Sequence, residues 1–292
     1  MDNRNPLTLA AAEIQLAELL SQDLDVMQRY DAYTTDDMYT WSTVFSNLFH
    51  RAWPNRAHPE FIAGIDRLRL MYHVPKVSVL SKRLKELVGC ELYFVEGHTD
   101  PTTYLLSIAR NYFPVTVWLR KPLQIGYIEE PDMVHEVLGH AVMLTNKLYF
   151  EHHRRIAQVF IDIMQEEPMH TVEMLAEWIA RFYWRTIEFG LTRDDAGKVR
   201  VYGVGILSSA EETIRSLEPG AQHVYLPDDP HDACRMLIEE PYELDESGQY
   251  TGLGGMRAYY VVNGFHHFHT MVNALKEVVT EKLGSVSAVA AE

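Results

Sequence analysis

Two histidines, His135 and His140, stand five positions apart in the run Glu129-Glu130-Pro131-Asp132-Met133-Val134-His135-Glu136-Val137-Leu138-Gly139-His140. Neutral imidazole is the commonest protein ligand for a metal ion. Pro131 suits a first helical turn, where its missing N–H costs nothing, and the acidic residues ahead of it favour the helix dipole. The spacing therefore predicts a helix over 131–144. The pattern looks like the zinc-hydrolase signature His-Glu-x-x-His, but that signature puts its histidines four apart on one face. On an α-helix, at about 100° per residue, a gap of five starts the rings about 140° apart. Such a pair meets at one ion only if the ion sits off the helix flank and another element completes the site. Gly139 points the same way, since a helical glycine costs ~1 kcal/mol and usually has a packing or functional reason. Spacing alone leaves two readings open: a metal pair, or one packed and one solvated histidine.

A site of the two-histidine, one-carboxylate kind needs an acidic residue from elsewhere, and leaves one face of Fe(II) open. Glu188 is the candidate, in Phe182-Tyr183-Trp184-Arg185-Thr186-Ile187-Glu188-Phe189-Gly190. A carboxylate between Ile187 and Phe189 is expensive unless it meets a cation. Arg181 and Arg185 lie close enough in sequence for a plain ion pair to be the other reading.

The elements that must position these residues belong to a chain of 292 residues with 47% hydrophobic and 23% charged residues. That is ordinary globular composition, and a chain this long can bury a dry pocket. A net charge of -15 and a pI near 5.4 argue against nucleic acid and anionic membranes as partners. Cys90 and Cys234 are too few for a disulfide framework. The N-terminus lacks a basic export signal, and no apolar run reaches the ~18 residues that span a bilayer. A reducing cytoplasm is the expected location.

No linker or repeat divides the sequence, so a single catalytic domain over 1–292 is expected, with an N-terminal helical extension at 1–30 and a disordered tail at 284–292. Helical spacing covers 7–30, 36–53, 59–72, 77–88, 101–112, 131–144, 171–189 and 272–283. Strand patterns cover 91–95, 115–119, 199–207 and 256–262. The fold class is α+β, mainly α-helical with a few short strands.

At this level of detail the chain resembles the pterin-dependent aromatic amino acid hydroxylases. Pro131-Asp132, His135-Glu136 and Gly139-His140 are similar to their iron motif. Tyr183-Trp184 through Glu188-Phe189-Gly190-Leu191 is similar to their third-ligand helix, and Tyr202-Gly203-Val204-Gly205-Ile206-Leu207-Ser208-Ser209 to the strand and turn that follow. Phe113-Pro114-Val115-Thr116 with Trp118-Leu119-Arg120 resembles the strand before the iron motif, in the form of the bacterial phenylalanine-hydroxylating members. Thr40-Trp41 with Thr43-Val44-Phe45 matches an earlier helix, and the likeness runs in order over roughly 30–215.

The resemblance implies a monooxygenase using Fe(II), a tetrahydropterin and dioxygen. It implies iron at His135, His140 and Glu188, and Glu136 near the iron-bound water and the pterin. Arg120 would clamp the substrate carboxylate, with Ser208 at the same end. Trp184 and Phe189 would shape an aromatic pocket, and Pro131 would pack on the substrate ring. Tyr104 would stack on the pterin, and the Val95-Glu96-Gly97 turn would offer it backbone contacts.

Departures from the family pattern sit at Ala141-Val142, His98, Val204, Ile128 and Ala210-Glu211-Glu212. They bear on the substrate and the ring position, so meta attack stands beside para attack, and tryptophan beside phenylalanine. The large indole of Trp184, where tryptophan-hydroxylating members carry a smaller ring, favours L-phenylalanine, with Val204 and Ile128 expected to narrow the cavity. The resemblance covers a catalytic unit without regulatory or tetramerising segments, so a monomer or weak dimer is expected. Two other classes are weighed against it. A zinc hydrolase would use Glu136 as base; a non-enzymatic metal-binding protein would use His266, His267 and His269.

Overall fold

Most helices begin at a residue able to cap them. Thr8, Asp23, Thr34, His58, Asp100, Ser209 and Asp229 each accept a first-turn backbone N–H on the side chain, satisfying donors the helix itself cannot reach. Pro59, Pro101 and Pro230 each open the helix that follows its cap. The computed structural model describes residues 6–126, 128, 130–166, 169–241 and 258–290. Glu129, Gly254, Gly255 and Met256, residues 1–5 and residues 291–292, all part of the sequence reading, lie outside the described residues.

The N-terminal stretch is two helices, α1 (Leu9–Leu20) and α2 (Leu24–Gln28), because Asp23 caps a fresh start where one helix over 7–30 was expected. α3 (Thr35–Asn47) runs into a π-helical segment, Leu48–Ala52. α4 (Pro59–Leu68) stops short of 72 because Arg69 adopts the left-handed conformation. α5 (Val77–Val88) ends as expected, at Gly89. β1 (Glu91–Phe94) leads to α6 (Pro101–Ala109) and β2 (Tyr112–Val115). β2 ends at Val115, not 119, because its parallel partner β1 ends at Phe94 and offers nothing further to pair with.

The helix expected over 131–144 is mostly a π-helical segment, Val134–Ala141, followed by one α turn, α7 (Val142–Leu144). α8 (Lys147–Glu166) is a long helix the sequence reading did not identify. α9 (Met169–Tyr183) again ends in a π-helical segment, Trp184–Glu188. β3 (Leu191–Arg193) and β4 (Val199–Val201) form a hairpin. The strand expected over 199–207 ends there, and Val204–Leu207 is a short helix, α10. α11 (Ala210–Arg215), β5 (His223–Tyr225), α12 (Pro230–Glu239), β6 (Tyr259–Val262) and α13 (Gly264–Ala290) follow. α13 starts before 272 and continues to Ala290, so the tail expected to be disordered from 284 is helical as far as it is described.

β1 and β2 pair in parallel, and the second sheet has the order β4-β3-β6-β5. Around both, one continuous apolar cluster runs from Ala12 to Leu283. The architecture is α+β and mainly helical. α8 packs on α6, α9 and α13, and β2 and α10 lie against the Val134–Ala141 segment.

Close backbone approach fixes several glycines around that segment. A Cβ on Gly203 would lie 2.5 Å from the Gly190 nitrogen and 2.6 Å from the Glu188 oxygen, both main-chain atoms that cannot rotate away. A Cβ on Gly139 would lie 3.0 Å from the Val204 carbonyl oxygen. Gly284, exposed on α13, has nothing within 4 Å. Gly203→Ala should therefore destabilise the protein by about 1–3 kcal/mol, the usual cost of overpacking. Gly284→Ala should be neutral or stabilising by up to about 1 kcal/mol, by helix propensity. Thermal unfolding of the two variants side by side checks this, and equal melting temperatures would refute it.

Candidate metal centre

The convergence of His135 and His140 follows from the winding of the segment that carries them. In a π-helix the backbone bonds run from residue i to i+5 rather than i+4. A gap of five therefore returns to the same side, as a gap of four does on an α-helix. The two ring centroids lie 4.9 Å apart. The separation expected of an α-helix does not arise, because the segment is not α-helical.

Another π-helical segment, Trp184–Glu188, delivers Glu188. Its last bond runs from Phe189 N to Trp184 O at 2.9 Å, again five residues apart. Glu188 Oε1 lies 3.1 Å from His140 Nε2, and Oε2 lies 3.7 Å from His135 Nε2. Burial holds both imidazoles well below the ordinary histidine range, His135 to about 4 and His140 to about 3. They are neutral near pH 7, so these contacts are not ion pairs. They are lone-pair-bearing groups gathered at contact distance. Ligands about 2.1 Å from one ion, at right angles to one another, are separated by about 3 Å, so the spacing fits a shared cation.

Glu136 is the other acidic group here. One of its oxygens lies within 4.8 Å of ring nitrogens of His135 and His140. Two carboxylates thus compete for the third position, and Glu188 is the better placed because it touches both Nε2 atoms. Burial first, then the charges of Glu188 and Asp132, push Glu136 well above the usual carboxylate range. Burial raises Glu188 as well. Two buried carboxylates beside two neutral imidazoles form a donor set that is costly without a cation.

Access comes over His135, whose side chain is 20% exposed against 3% for His140. Ser208 Oγ lies 3.2 Å from His135 Nδ1 and also donates to the Gly205 carbonyl. It holds the ring of the open ligand, as outer partners of metal-bound histidines do. Gly205 admits the third candidate ligand: a Cβ there would lie 3.2 Å from Glu188 Oε2 and 3.0 Å from the Phe189 ring.

Arg120 is 3% exposed, and each of its guanidinium nitrogens makes one hydrogen bond. Its Nε donates to Asp132 Oδ2 at 2.8 Å, its Nη2 to Oδ1 at 2.6 Å, and its Nη1 to the Gly126 carbonyl at 2.5 Å. Asp132 Oδ1 also accepts the His135 backbone N–H at 3.1 Å. Asp132 lies inside the histidine motif, where its type and spacing alone mark no role. The guanidinium keeps one further N–H on each terminal nitrogen, pointing away from the Asp132 pair.

The aromatic residues gather as expected at Trp184 and Phe189, whose rings lie 4.8 Å apart. Pro131 is half-buried, and its carbonyl accepts from Thr116. Val204 is fully buried behind Gly139, while Ile128 is half-buried. Val95 is buried at the end of β1, and a Cβ on Gly97 would meet Glu130 at 3.4 Å. Tyr104 packs edge-on to Phe113 and Tyr183. Burial first, with the charge of Glu188 adding, raises Tyr104 well above the ordinary phenol range, so it stays protonated. Tyr183, which stands in the third-ligand motif, and His153, which no motif marks, join Tyr104 in a run of short hydrogen bonds. His266, His267 and His269 lie on α13 and form no metal cluster among the described residues.

Residues 24–277 match the family model described as biopterin-dependent aromatic amino acid hydroxylase. The phenylalanine-4-hydroxylase of Chromobacterium violaceum is 33% identical over 199 residues, 68% of this chain and 64% of that protein, so the match spans less than two thirds of the relative's length. The crystal structure of that organism's phenylalanine hydroxylase with iron(III) and the oxidised cofactor 7,8-dihydrobiopterin superposes with a TM-score of 0.74 at 26% identity, over 96% of this chain and 93% of that one. Its iron- and phenylalanine-bound form gives 0.72 at 26%, over 89% and 88%. The shared sequence and the shared fold have one source: the chain belongs to the biopterin-dependent aromatic amino acid hydroxylases.

Proposed function

We propose that the protein hydroxylates the ring of L-phenylalanine at the para position, using Fe(II), a tetrahydropterin and dioxygen. The observation that carries this is the approach of Glu188 to both Nε2 atoms, 3.1 and 3.7 Å away, in a chain of this family. His135, His140 and Glu188 would hold the iron, leaving its opposite face open. When bound, iron and the reduced pterin supply the activation of dioxygen, and one oxygen atom ends on the ring. The protein supplies the rest. Ser208 orients His135 and the buried surroundings exclude water. Glu136 lies beside the ligands, where burial raises it well above the usual carboxylate range. The free edge of the Arg120 guanidinium would take the substrate carboxylate, while Trp184, Phe189 and Pro131 enclose the ring. Tyr104, Val95 and Gly97 would receive the pterin. Relatives named for 4-hydroxylation support para over meta attack.

The chain reads as one catalytic domain over 1–292, supported by the single apolar cluster from Ala12 to Leu283. No described helix is long and apolar enough to cross a membrane. A net charge of -15 and two buried free thiols support a cytoplasmic protein without a nucleic-acid partner, and we propose that it is a monomer or weak dimer.

Glu188→Gln keeps the shape and removes the anion. Iron content should fall at least about tenfold at equal free iron, and turnover with it. Full iron with full turnover would remove Glu188 from the site. Arg120→Lys keeps the charge and loses the fork. The KM for phenylalanine should rise about tenfold or more while iron content holds. An unchanged KM would show that the carboxylate binds elsewhere. In competition at equal concentrations, phenylalanine should outrun tryptophan by about five- to a hundredfold, the cost of overfilling the pocket walled by Trp184. Equal product from both amino acids would refute that wall.

A further inference from the structure

Three side chains beside the candidate metal centre are linked through polar atoms that the reaction above does not use. Tyr104 Oη lies 2.5 Å from Tyr183 Oη, and Tyr183 Oη lies 2.6 Å from His153 Nε2. The three residues come from α6, α9 and α8, so the chain ties three helices together. His153 is fully buried among the rings of Phe113, His140, Tyr149 and Tyr183. Its Nδ1 has no hydrogen-bond partner among the described residues. An imidazole with one unsatisfied nitrogen is a poor choice for filling a core, because the orphaned atom costs free energy that an apolar side chain would not. What His153 gains in return is its single bond to Tyr183.

That bond reaches the functional surface in two steps. Tyr183 has one hydroxyl, shared between His153 on one side and Tyr104 on the other. Tyr104 is the residue at the far end, half-buried and close enough to Glu188 and Glu136 to feel both charges. A phenylalanine at 104 or 183 would keep an aromatic face but not the tether. An aromatic ring free to tilt is a worse stacking platform than one pinned at its edge, because a supporting group that fixes the rotamer reduces what must be ordered on binding.

We propose that His153 is a positioning residue for the pterin: it anchors the Tyr183 hydroxyl, which anchors the Tyr104 hydroxyl, and so sets the pitch of the ring on which the pterin stacks. This rests on the reading of Tyr104 as the pterin platform.

The test is calorimetric binding of 7,8-dihydrobiopterin to iron-loaded protein carrying His153→Leu, His153→Gln or Tyr183→Phe. In His153→Leu the Kd should rise about three- to tenfold, the worth of one hydrogen bond. Iron content and the KM for phenylalanine should stay at wild-type levels. His153→Gln, whose amide can still bond to Tyr183, should remain within about twofold of wild type. Tyr183→Phe breaks the chain in its middle and should match His153→Leu; if His153→Leu does not fold, it carries the comparison alone. Wild-type Kd in the variants that break the chain would overturn the proposal and leave the functional reading standing. Iron lost in step with pterin affinity would also overturn it, making His153 a support for His140. A wild-type protein that binds no dihydrobiopterin would overturn the functional reading, and this proposal with it.

Discussion

The site depends on a backbone bond that skips five residues instead of four. Of the three described stretches wound this way, Val134–Ala141 and Trp184–Glu188 together carry both histidines, Glu136 and Glu188. An α-helix would send His135 and His140 to different flanks. The wider winding brings their rings to 4.9 Å. Such winding is less favourable than an α-helix and persists where packing holds it. Here the packing is backbone on backbone. Gly203 lies against Gly190 and Glu188, and Gly139 lies against Val204. The short helix Val204–Leu207 is wedged between the two ligand-bearing segments and touches both. A Cβ would collide with backbone at Gly203 and would crowd the Val204 carbonyl at Gly139, so these glycines help set the geometry of the candidate ligands.

A second constraint is electrostatic. Burial makes each ligand group prefer its neutral form: both histidines are held low, and Glu136 and Glu188 are pushed up. A divalent cation reverses that preference for a carboxylate and uses the neutral imidazoles as they are. Arg120 does not fill this need, because Asp132 already engages it. The protein thus keeps its organic cation and the place for a metal cation apart, each with its own carboxylate.

Much of this could be read in the sequence, and the rest was hidden for physical reasons. His135, His140 and Glu188 stood out because their types and neighbours were unusual, and the structure brings them together. Their geometry was not legible, because composition does not distinguish π from α winding. The strand pattern over 199–207 was half right: Val199–Val201 pairs with β3, but at Gly203 the chain turns into a helix to pass close to Gly190. α8 went unrecognised because His152, His153, Arg154 and Arg155 interrupt it. Two of those, His152 and His153, are fully buried, so residues that look like a solvated patch continue the apolar stripe of Tyr149, Ile156, Phe160 and Ile163. Asp132 lay in plain view inside the motif, yet its role depends on Arg120, twelve residues earlier, folding back onto it.

Asp132 also ties Arg120 to the candidate metal site as one rigid piece. Its carboxylate accepts the Arg120 backbone N–H, Nε and Nη2, and the His135 backbone N–H. The side chain is fully buried, so none of these bonds is shared with bulk water. A carboxylate held by that many donors has no freedom to follow one of them away from the others. The guanidinium is therefore fixed with respect to the first turn of the segment that carries both histidines. Reaction at a chosen ring carbon requires the substrate to be placed to a fraction of an ångström relative to the metal. A loop-borne arginine would not achieve this alone, since loops move more than the elements they join. Bonding that arginine to the base of the ligand segment removes the loop from the problem. The distance from the Arg120 guanidinium to the candidate ligand segment is then set by one turn of backbone and one buried ion pair.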